Sequence, residues 1–372
     1  NKAIEFDQSE FFKLVYNNEY DMAGGEPFGV LIGDYRISHQ NSLHKSTNDI
    51  DVLKGITRIA AAAFAPFITS VQPSFFGADE FSDLASYIDL SKTFEQIEYI
   101  NWHSLRAMDD ARFLGITLPY VLMRVPYQKD GSRSEGFKFK ETITNTDHDY
   151  LWGNAAYAFA GVLLRAFSQS GWFSQIRGMQ TGQYKKGLVT GLPVCYDETD
   201  IYRKANKPAI NLFISDRNEK TLSDLGLIPL SHIMGSEYLV FYSNASVQKS
   251  AEFDSLSATV NAKLSSMMQY ILCVSRFAHY IKVLSREKVG SFASAQLCER
   301  DLQTWLHQYT TASDSASDEV RSKYPLQSAQ VKVKEMHGKP GHFYSIIQLQ
   351  PHFQLDQMVS SIKLVTELTP RN

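Results

Sequence analysis

The sequence predicts an α/β or α+β domain over residues 1–250, followed by a C-terminal α+β region over residues 251–372. Three observations support this division. Short apolar runs alternate with helical patterns in the first part, one unusually long helical pattern opens the second part, and three strand patterns close the chain. The chain has 372 residues, which is enough for two or three hydrophobic cores.

In the first part, apolar runs bounded by glycine, proline or polar residues predict strands at residues 27–37, 67–71, 113–117, 210–214, 227–230 and 238–242. Helical spacing predicts helices at residues 51–64, 79–87, 91–108, 149–168 and 218–225. Pro66 ends the first of these helices, because proline cannot donate to the helix ladder. The remaining long segments are predicted to be a short helix or irregular lead-in, a loop and a surface excursion, at residues 10–22, 129–147 and 178–206 respectively.

In the second part, residues 253–286 place apolar side chains three and four positions apart, which predicts one long helix. Gly290 ends this helix, and Ser291 or Ser294 is positioned to cap a second helix that reaches Tyr309. The sequence TTASDSASDE then has the composition of a flexible linker. Apolar and alternating patterns predict the last three strands at residues 331–334, 343–349 and 359–368.

Composition and charge narrow the function classes. The formal net charge is −3 and the pI is about 6.4, so the whole chain lacks the basic footprint of a nucleic-acid-binding protein. No apolar run reaches the ~18 residues of a membrane-spanning helix. Cys195, Cys273 and Cys298 form no C-x-x-C pair and predict reduced thiols in a cytoplasmic protein. Because the chain opens on Asn1 without a signal-peptide pattern, we expect an upstream segment to be missing from this numbering.

The glycine-rich stretch AGGEPFGVLIGDY, residues 23–35, has two interpretations: a phosphate-binding loop or a turn that leads into a buried strand. A P-loop needs lysine and a hydroxyl residue directly after its last glycine, but Val30 and Leu31 follow Gly29. A dinucleotide fingerprint needs its glycines after a strand, and here they precede one. The order of residues therefore favours the turn.

Other candidate catalytic or metal-binding residues also have simpler explanations. His337, His342 and His352 lack a carboxylate or cysteine at ligand spacing, so surface histidines are the better interpretation. Asp109 and Asp110 lie between arginines, which is typical of a helix terminus with local ion pairs rather than a catalytic pair. His148 and Asp149 precede a helix, and the sequence has no G-x-S-x-G motif to supply a nucleophilic serine. A role at the N-terminal end of that helix is therefore the better interpretation than part of a catalytic triad. We predict no catalytic residues, no metal site and no cofactor.

A basic stripe on the long helix is formed by Arg276, His279, Lys282 and Arg286. At 100° per residue the last three lie within ~60° of one another, and Arg276 extends the stripe. The stripe is either a solvated helix face or a basic surface that docks an acidic partner. The sequence leaves both interpretations open.

The predicted C-terminal strands form a small sheet whose edge strands could pair with another chain. A small antiparallel sheet has unpaired edge strands unless they are protected or joined by another chain. The segment VSSIKLV, residues 359–365, contains few residues that would prevent such pairing. A strand from another chain could therefore complete the sheet, and a self-contained sheet is the alternative. The residues alone thus weakly favour an assembly protein over an enzyme.

Short motifs are spread along the whole chain: EPFGVLIGDY (26–35), FAPFI (64–68), FFG (75–77), DARFLGITLP (110–119), LWGNAA (151–156), FAHYIKVL (277–284), RE (286–287), GSF (290–292), VRS (320–322), PL (325–326) and AQV (329–331). Together these motifs resemble segments of the large sheath subunit of bacterial type VI secretion systems, the TssC/VipB/EvpB family. They occur in the family's order. Family members carry a further N-terminal arm, and the segment at 178–206 matches the family poorly.

The resemblance implies a contractile, phage-tail-like sheath and no enzymatic activity. In such a sheath the large subunit forms a heterodimer with the small sheath subunit, stacks with neighbouring large subunits around an inner tube protein, and contracts to drive secretion. The other implied partners are a baseplate at the envelope and a AAA+ ATPase that recycles contracted sheath mainly through the small subunit. The implied location is the bacterial cytoplasm. The alternatives are a nucleotide-binding enzyme and an adaptor that does not polymerise.

The resemblance also implies that the C-terminal domain lies innermost and exchanges strands between protomers. The residues expected to take part in this pairing are Val331, Val333, Ile346, Leu349, Ile362, Leu364 and Val365. The basic stripe of Arg276, His279, Lys282 and Arg286 is then expected to face the inner tube.

Overall fold

The computed structural model describes residues 6–22, 24–38, 48–87, 89–131, 138–144, 147–179, 186–198, 204–233, 236, 238–287, 294–313, 316–338, 343–352 and 362–368. The α-helices are α1 (Glu10–Phe12), α2 (Asp49–Ala62), α3 (Leu90–Phe94), α4 (Ile100–Arg106), α5 (Ala155–Ser170), α6 (Asp216–Asp224), α7 (Leu256–Ser265), α8 (Met268–Glu287), α9 (Ala295–His307) and α10 (Asp318–Lys323). A π-helix covers Lys13–Asp21, and short 3₁₀ helices cover Phe6–Gln8, Pro73–Phe76, Phe81–Ser86, Ile97–Tyr99, Asp109–Phe113 and Asp147–Asp149.

The strands are β1 (Leu31–Ile37), β2 (Phe67–Val71), β3 (Leu114–Leu118), β4 (Val121–Leu122), β5 (Trp152–Gly153), β6 (Leu188–Val189), β7 (Cys195–Glu198), β8 (Lys204–Lys207), β9 (Ile228–Pro229), β10 (Ser231–His232), β11 (Leu239–Val240), β12 (Leu326–Glu335), β13 (Phe343–Pro351) and β14 (Ile362–Leu368). Helices and strands are thus mixed in the first part of the chain, as its alternating patterns predict.

A parallel sheet in the order β1-β2-β3-β9 forms the centre of the first part. Every residue of β2 and β3 is buried, as expected for central parallel strands that are covered on both faces. The predicted strand at 67–71 is confirmed, and the one predicted at 113–117 begins one residue later. Phe75 and Trp102 are almost fully buried beside this sheet, and their rings pack edge to face at 5.0 Å.

The glycine-rich stretch is a turn that leads into β1, as its residue order predicts. Gly24 has φ +83°, a left-handed conformation that glycine adopts without strain. A Cβ atom on Gly25 would lie 2.5 Å from the Asn18 carbonyl oxygen, so this glycine permits a close backbone approach. A Cβ atom on Gly33 would lie 2.2 Å from the Phe67 ring of the neighbouring strand. Gly24 therefore allows the chain to turn, and Gly25 and Gly33 allow neighbouring atoms to pack closely.

Two predictions for the region before α6 are wrong. Residues 210–214 form no strand; Ile210 makes only an isolated bridge to Val121, and the Asn211 side chain accepts a hydrogen bond from the Tyr120 amide at 3.1 Å. The segment 178–206 is more than a surface excursion, because it contains β6, which pairs with β11 in a sheet ordered β10-β11-β6. It also contains β7, which pairs with β8 in a hairpin.

The long helix predicted at 253–286 is two helices, and the prediction of one continuous helix is wrong. The α7 helix ends at Ser265 and α8 begins at Met268. The chain at residues 244–246 crosses this point, where the Ser246 amide donates to the Ser266 carbonyl at 3.1 Å and the Met268 amide donates to the Asn244 carbonyl at 2.8 Å. These backbone hydrogen bonds replace helical ones, so a contact distant in sequence breaks the helix.

The C-terminal part ends in a three-stranded antiparallel sheet in the order β12-β13-β14. The three predicted strands are present, and β12 is longer than its alternating pattern because it begins at Leu326. Helices α8 and α9 bury an apolar core against one face of the sheet, formed by residues that include Phe277, Cys298, Leu302, Val331, Ile347 and Leu349. Ser294 caps α9, and α10 begins inside the predicted linker after the cap residue Ser317.

Within the described part of the chain, none of the helices combines the length and the hydropathy that a bilayer crossing requires.

Candidate assembly site

The predicted basic stripe on α8 is packed against the N-terminal segment of the chain. The Lys282 ammonium pairs with the Asp21 carboxylate at 3.0 Å and lies 5.3 Å from the centre of the Tyr20 ring. Arg286 donates a hydrogen bond to the Met22 carbonyl. Arg276 contacts the Tyr280 ring on its own helix, with 4.8 Å between guanidinium and ring centre. The π-helix Lys13–Asp21 and its C-terminal end therefore cover much of this face.

His279 is not a surface residue, and its assignment to an exposed basic stripe is wrong. Only 2% of it is exposed, and its Nε2 lies 2.9 Å from the Ala63 carbonyl oxygen, to which the neutral ring donates. The Tyr20 ring packs edge-on against it at 6.0 Å. Burial, together with the nearby charge of Arg276, lowers the pKa of His279 from 6.5 to about 4. Tube contact by Arg276, Lys282 and Arg286 stays a prediction.

The buried imidazole predicts that the protein loses stability in mild acid. Below pH 6.5 the unfolded chain binds a proton at His279, whereas the folded chain keeps this ring neutral until about pH 4. The free energy of unfolding should therefore fall between these two values, by up to about 3 kcal/mol from this group. Urea unfolding of the wild type and of His279→Gln at pH 7, 6 and 5 measures the effect. Equal pH slopes for the two proteins would contradict it.

The ion pair between Lys282 and Asp21 predicts a charge-swap result. Lys282→Glu should loosen residues 13–21, because two carboxylates then face each other; for a half-exposed pair the change is about 1 kcal/mol, or about fivefold in local opening. Hydrogen exchange of the backbone amides in this segment measures it. The double variant with Asp21→Lys should restore protection. Protection that is unchanged in the single variant would show that the pair does not hold the segment.

An aromatic cluster joins the two parts of the chain. The Trp172 ring, which follows α5, stacks on Phe277 of α8 with 4.4 Å between centres and 19° between planes. Trp305 and Tyr309 complete the cluster, with their rings packed edge-on against Phe277 at 6.0 and 5.9 Å. Phe277 is fully buried. The cluster therefore packs the segment after α5 against α8 and α9.

The predicted strand-pairing residues lie on all three strands of the C-terminal sheet. Val331 and Val333 on β12 and Leu349 on β13 are at most 7% exposed, and their side chains pack into the core formed with α8 and α9. Ile346 is half-buried on β13 and lies opposite Val365 of β14. Ile362 and Leu364 lie opposite Leu349 and Ile347. The structure therefore brings the predicted residues into one sheet.

The outer edge of β12 is covered by the chain's own residues. The Gln303 side chain accepts a hydrogen bond from the Val331 amide at 2.8 Å and donates one to the Ala329 carbonyl at 2.9 Å. The Glu299 carboxylate accepts one from the Val333 amide at 2.8 Å. At the start of the strand, both backbone groups of Leu326 bond to residues 309–311. Helix α9 and the segment after it therefore occupy positions that an added strand would take.

Sequence reasoning missed the role of Glu299 and Gln303. They are four residues apart on α9 and therefore lie on the same helix face. That spacing was the only available signal, and it is common to many solvated helices. Their hydrogen-bonding partners lie 26 to 34 residues further along the chain, so only the packed structure reveals their contacts.

Among the other candidate residues, His337 is exposed, as the sequence favours, whereas His352 is half-buried directly after β13 and is not the surface histidine that was predicted. Asp109 begins a 3₁₀ helix and pairs with Arg112 at 3.5 Å, while burial and the Asp109 charge raise the pKa of Asp110. His148 lies 2.7 Å from Glu80. His342 lies outside the described residues. Over the residues that are described, no group of three or more His, Cys, Asp or Glu side chains is arranged to hold a metal ion.

The three cysteines, Cys195, Cys273 and Cys298, are buried. Burial raises the pKa of the Cys273 thiol to about 12, so this thiol stays protonated and unreactive at neutral pH.

Two protein-family models together match most of the chain. A model described as the EvpB/VC_A0108 tail sheath N-terminal domain matches residues 1–248, and one described as the tail sheath gpW/gp25-like domain of the same family matches residues 257–368. These matches define the class, a structural subunit of a contractile tail sheath. The chain is also 38% identical over 369 residues to "Type VI secretion system sheath protein TssC1" from Pseudomonas aeruginosa, which covers 99% of this chain and 72% of that protein.

The chain therefore belongs to the EvpB/VC_A0108 family of tail sheath proteins. The resemblance to the large sheath subunit of type VI secretion systems, predicted from its motifs, is confirmed.

Proposed function

We propose that this sheath subunit forms a heterodimer with the small sheath subunit, polymerises with copies of itself around an inner tube, and contracts to drive secretion. The observation that carries the proposal is the C-terminal antiparallel sheet, which ends in an edge strand, β14. A sheet edge offers a row of backbone donors and acceptors to a strand from another subunit. Such bonds depend little on side chains, so they can survive large rearrangements of the surrounding domains.

The chain is proposed to divide near residue 250 into an outer domain, residues 1–250, and an inner domain, residues 251–372, that carries the interlocking sheet. The ranges of the two family matches, 1–248 and 257–368, support this division. The packed aromatic cluster around Phe277 would hold the domains together during contraction.

Contraction is proposed to require neither nucleotide binding nor a catalysed reaction in this subunit. The energy would be stored in an extended sheath and released as larger contacts form in the contracted state. The further partners proposed are the inner tube protein, the baseplate at the envelope and a AAA+ ATPase that acts mainly through the small subunit. The proposed location is the bacterial cytoplasm. The enzyme and adaptor alternatives are not favoured, because the family match identifies a tail sheath subunit.

Co-expression with the small sheath subunit tests the proposal. The wild-type pair should form tubules that are visible by negative-stain electron microscopy. Leu364→Pro should abolish them, because register places the Leu364 amide in the β13–β14 ladder, from which proline removes a donor. A heterodimer that never forms tubules would favour the adaptor, and micromolar nucleotide binding by calorimetry would favour the enzyme.

A further inference from the structure

We infer that two exposed surfaces of this subunit bind each other between neighbouring copies in the sheath. The first is the isoleucine patch, which consists of Glu95, Ile97 and Ile100. The second is the arginine patch, which consists of Leu164, Phe167, Arg276 and Tyr280. The inference rests on the proposed function, because it places both surfaces in contact only when copies of the chain assemble.

The isoleucine patch is a rigid apolar projection. Ile97 and Ile100 are 84% and 65% exposed, although isoleucine is among the residue types most often buried. They lie three positions apart where α4 begins, so they share one face. Tyr99 and Trp102 of the same segment are buried, and the Tyr99 hydroxyl donates to the Phe75 carbonyl at 2.8 Å. The isoleucines are therefore held in place before a partner binds, which reduces the entropy cost of binding.

The arginine patch has the composition of a protein-binding surface. The Arg276 guanidinium lies between two exposed rings, 5.9 Å from the centre of the Phe167 ring and 4.8 Å from that of the Tyr280 ring. Leu164, one turn before Phe167 on α5, is 69% exposed. Arginine and tyrosine are enriched among the residues that dominate binding energy at interfaces, where apolar neighbours exclude water.

Charge identifies the chemistry of the partner. Within the described part of the chain, Arg276 forms no ion pair: its Nη2 donates to the Tyr280 hydroxyl at 3.2 Å, and its Nε is buried without a hydrogen-bond partner. The patch therefore fits a carboxylate that is accompanied by apolar side chains. The isoleucine patch offers both, because the exposed Glu95 lies two residues before Ile97 and forms no ion pair with any described residue.

A contact between these two patches suits a helical assembly. The patches are different surfaces, so the contact is heterologous and joins copies head to tail, which produces a ring or an open helical filament. The arginine patch includes α5 from the first family match and α8 from the second. A neighbour bound there would contact both domains at once. Arg276 is thereby assigned to a neighbouring copy and not to the inner tube.

Charge reversal tests the pairing in tubules formed with the small sheath subunit. Arg276→Glu and Glu95→Arg should each reduce the number of tubules at least about tenfold, because like charges then face each other at every contact between copies. The double variant should recover tubules to within about twofold of the wild type, since it restores the pair with its charges exchanged. Circular dichroism, thermal melting and co-purification with the small subunit check that each variant folds.

Arg300→Glu is the matched control for charge reversal, because Arg300 is an exposed arginine on the neighbouring helix α9. It should leave the number of tubules within about twofold of the wild type. A loss equal to that of Arg276→Glu would show that assembly depends on overall charge and would overturn the inference.

Cross-linking identifies the occupant directly. A variant with both Ile97→Cys and Leu164→Cys is treated with a short bismaleimide reagent, from which burial protects the native cysteines. Tubules should yield a ladder of covalently joined large subunits, and the unassembled Leu364→Pro heterodimer with the same two cysteines should not. Ile97→Cys combined with Val52→Cys, at an exposed position of α2, is the control and should give no ladder.

The outcomes separate this inference from the proposed function. Cross-links to the small subunit in place of the ladder, or charge-reversed variants that fold but are not rescued by the double variant, would overturn the inference and leave the proposed function standing. Normal tubule numbers in both single variants would do the same. If the wild-type pair forms no tubules, the proposed function fails and the inference fails with it.

Discussion

Phe277→Ala is expected to lower the free energy of unfolding by about 3 to 5 kcal/mol and to prevent tubule formation. The ring is fully buried where the two family domains meet, stacked on Trp172 and packed against Trp305 and Tyr309. Its removal leaves a cavity among large aromatic side chains that cannot collapse easily. Urea unfolding followed by tryptophan fluorescence measures the loss, and electron microscopy of the co-expressed pair measures assembly.

Phe253→Ala is the matched control, because Phe253 is 55% exposed and lies just before α7. The same substitution at this surface position should change the free energy of unfolding by less than about 0.5 kcal/mol. If Phe277→Ala were as stable as this control, the aromatic cluster would not be what joins the domains.

Arg106→Met is expected to cost about 2 to 4 kcal/mol, the second large effect. This arginine, at the end of α4, is only 7% exposed and donates to the Val247 carbonyl at 3.1 Å and to the Asp224 carbonyl at 2.9 Å. Burial lowers its pKa to about 10, so it remains charged at neutral pH. Methionine has a similar length but leaves both carbonyls without this donor, and each lost partner is expensive in a buried site.

Arg112→Met separates this effect from a general loss of positive charge. The Arg112 side chain is 36% exposed and pairs with Asp109 only three residues away. Thermal and urea unfolding should show a change below about 0.5 kcal/mol. Equal losses in the two variants would mean that the contacts of Arg106 across the chain have no special importance.

Local signals predicted the parts of the fold that depend on neighbouring residues. The strand at residues 67–71 follows Pro66 and has the sequence FITSV, with apolar or β-branched side chains at four of its five positions, and its predicted bounds agree with β2. The glycine-rich stretch forms the turn into β1 that its residue order predicts. Ser294 was among the predicted caps and accepts a hydrogen bond from the Leu297 amide. In each case the deciding contact lies within a few residues.

Predictions failed where a distant segment decides the structure. The pattern at residues 253–286 is helical throughout, but residues 244–246 bond into it and break it. His279 looked like part of a basic surface, yet Ala63 and Tyr20, more than 200 residues away, enclose it. The strand predicted from Ile210 onward had the right composition and lacked a partner strand to pair with over its length. Helical and strand periodicity carry no information about such contacts.

The most direct measurement of the central claim is a helical reconstruction by cryo-electron microscopy of tubules formed by this chain and the small sheath subunit. The account predicts a strand of another subunit beside residues 362–368, with Glu299 and Gln303 still bonded to β12. A tubule in which the C-terminal sheet meets no strand from another subunit would contradict the account.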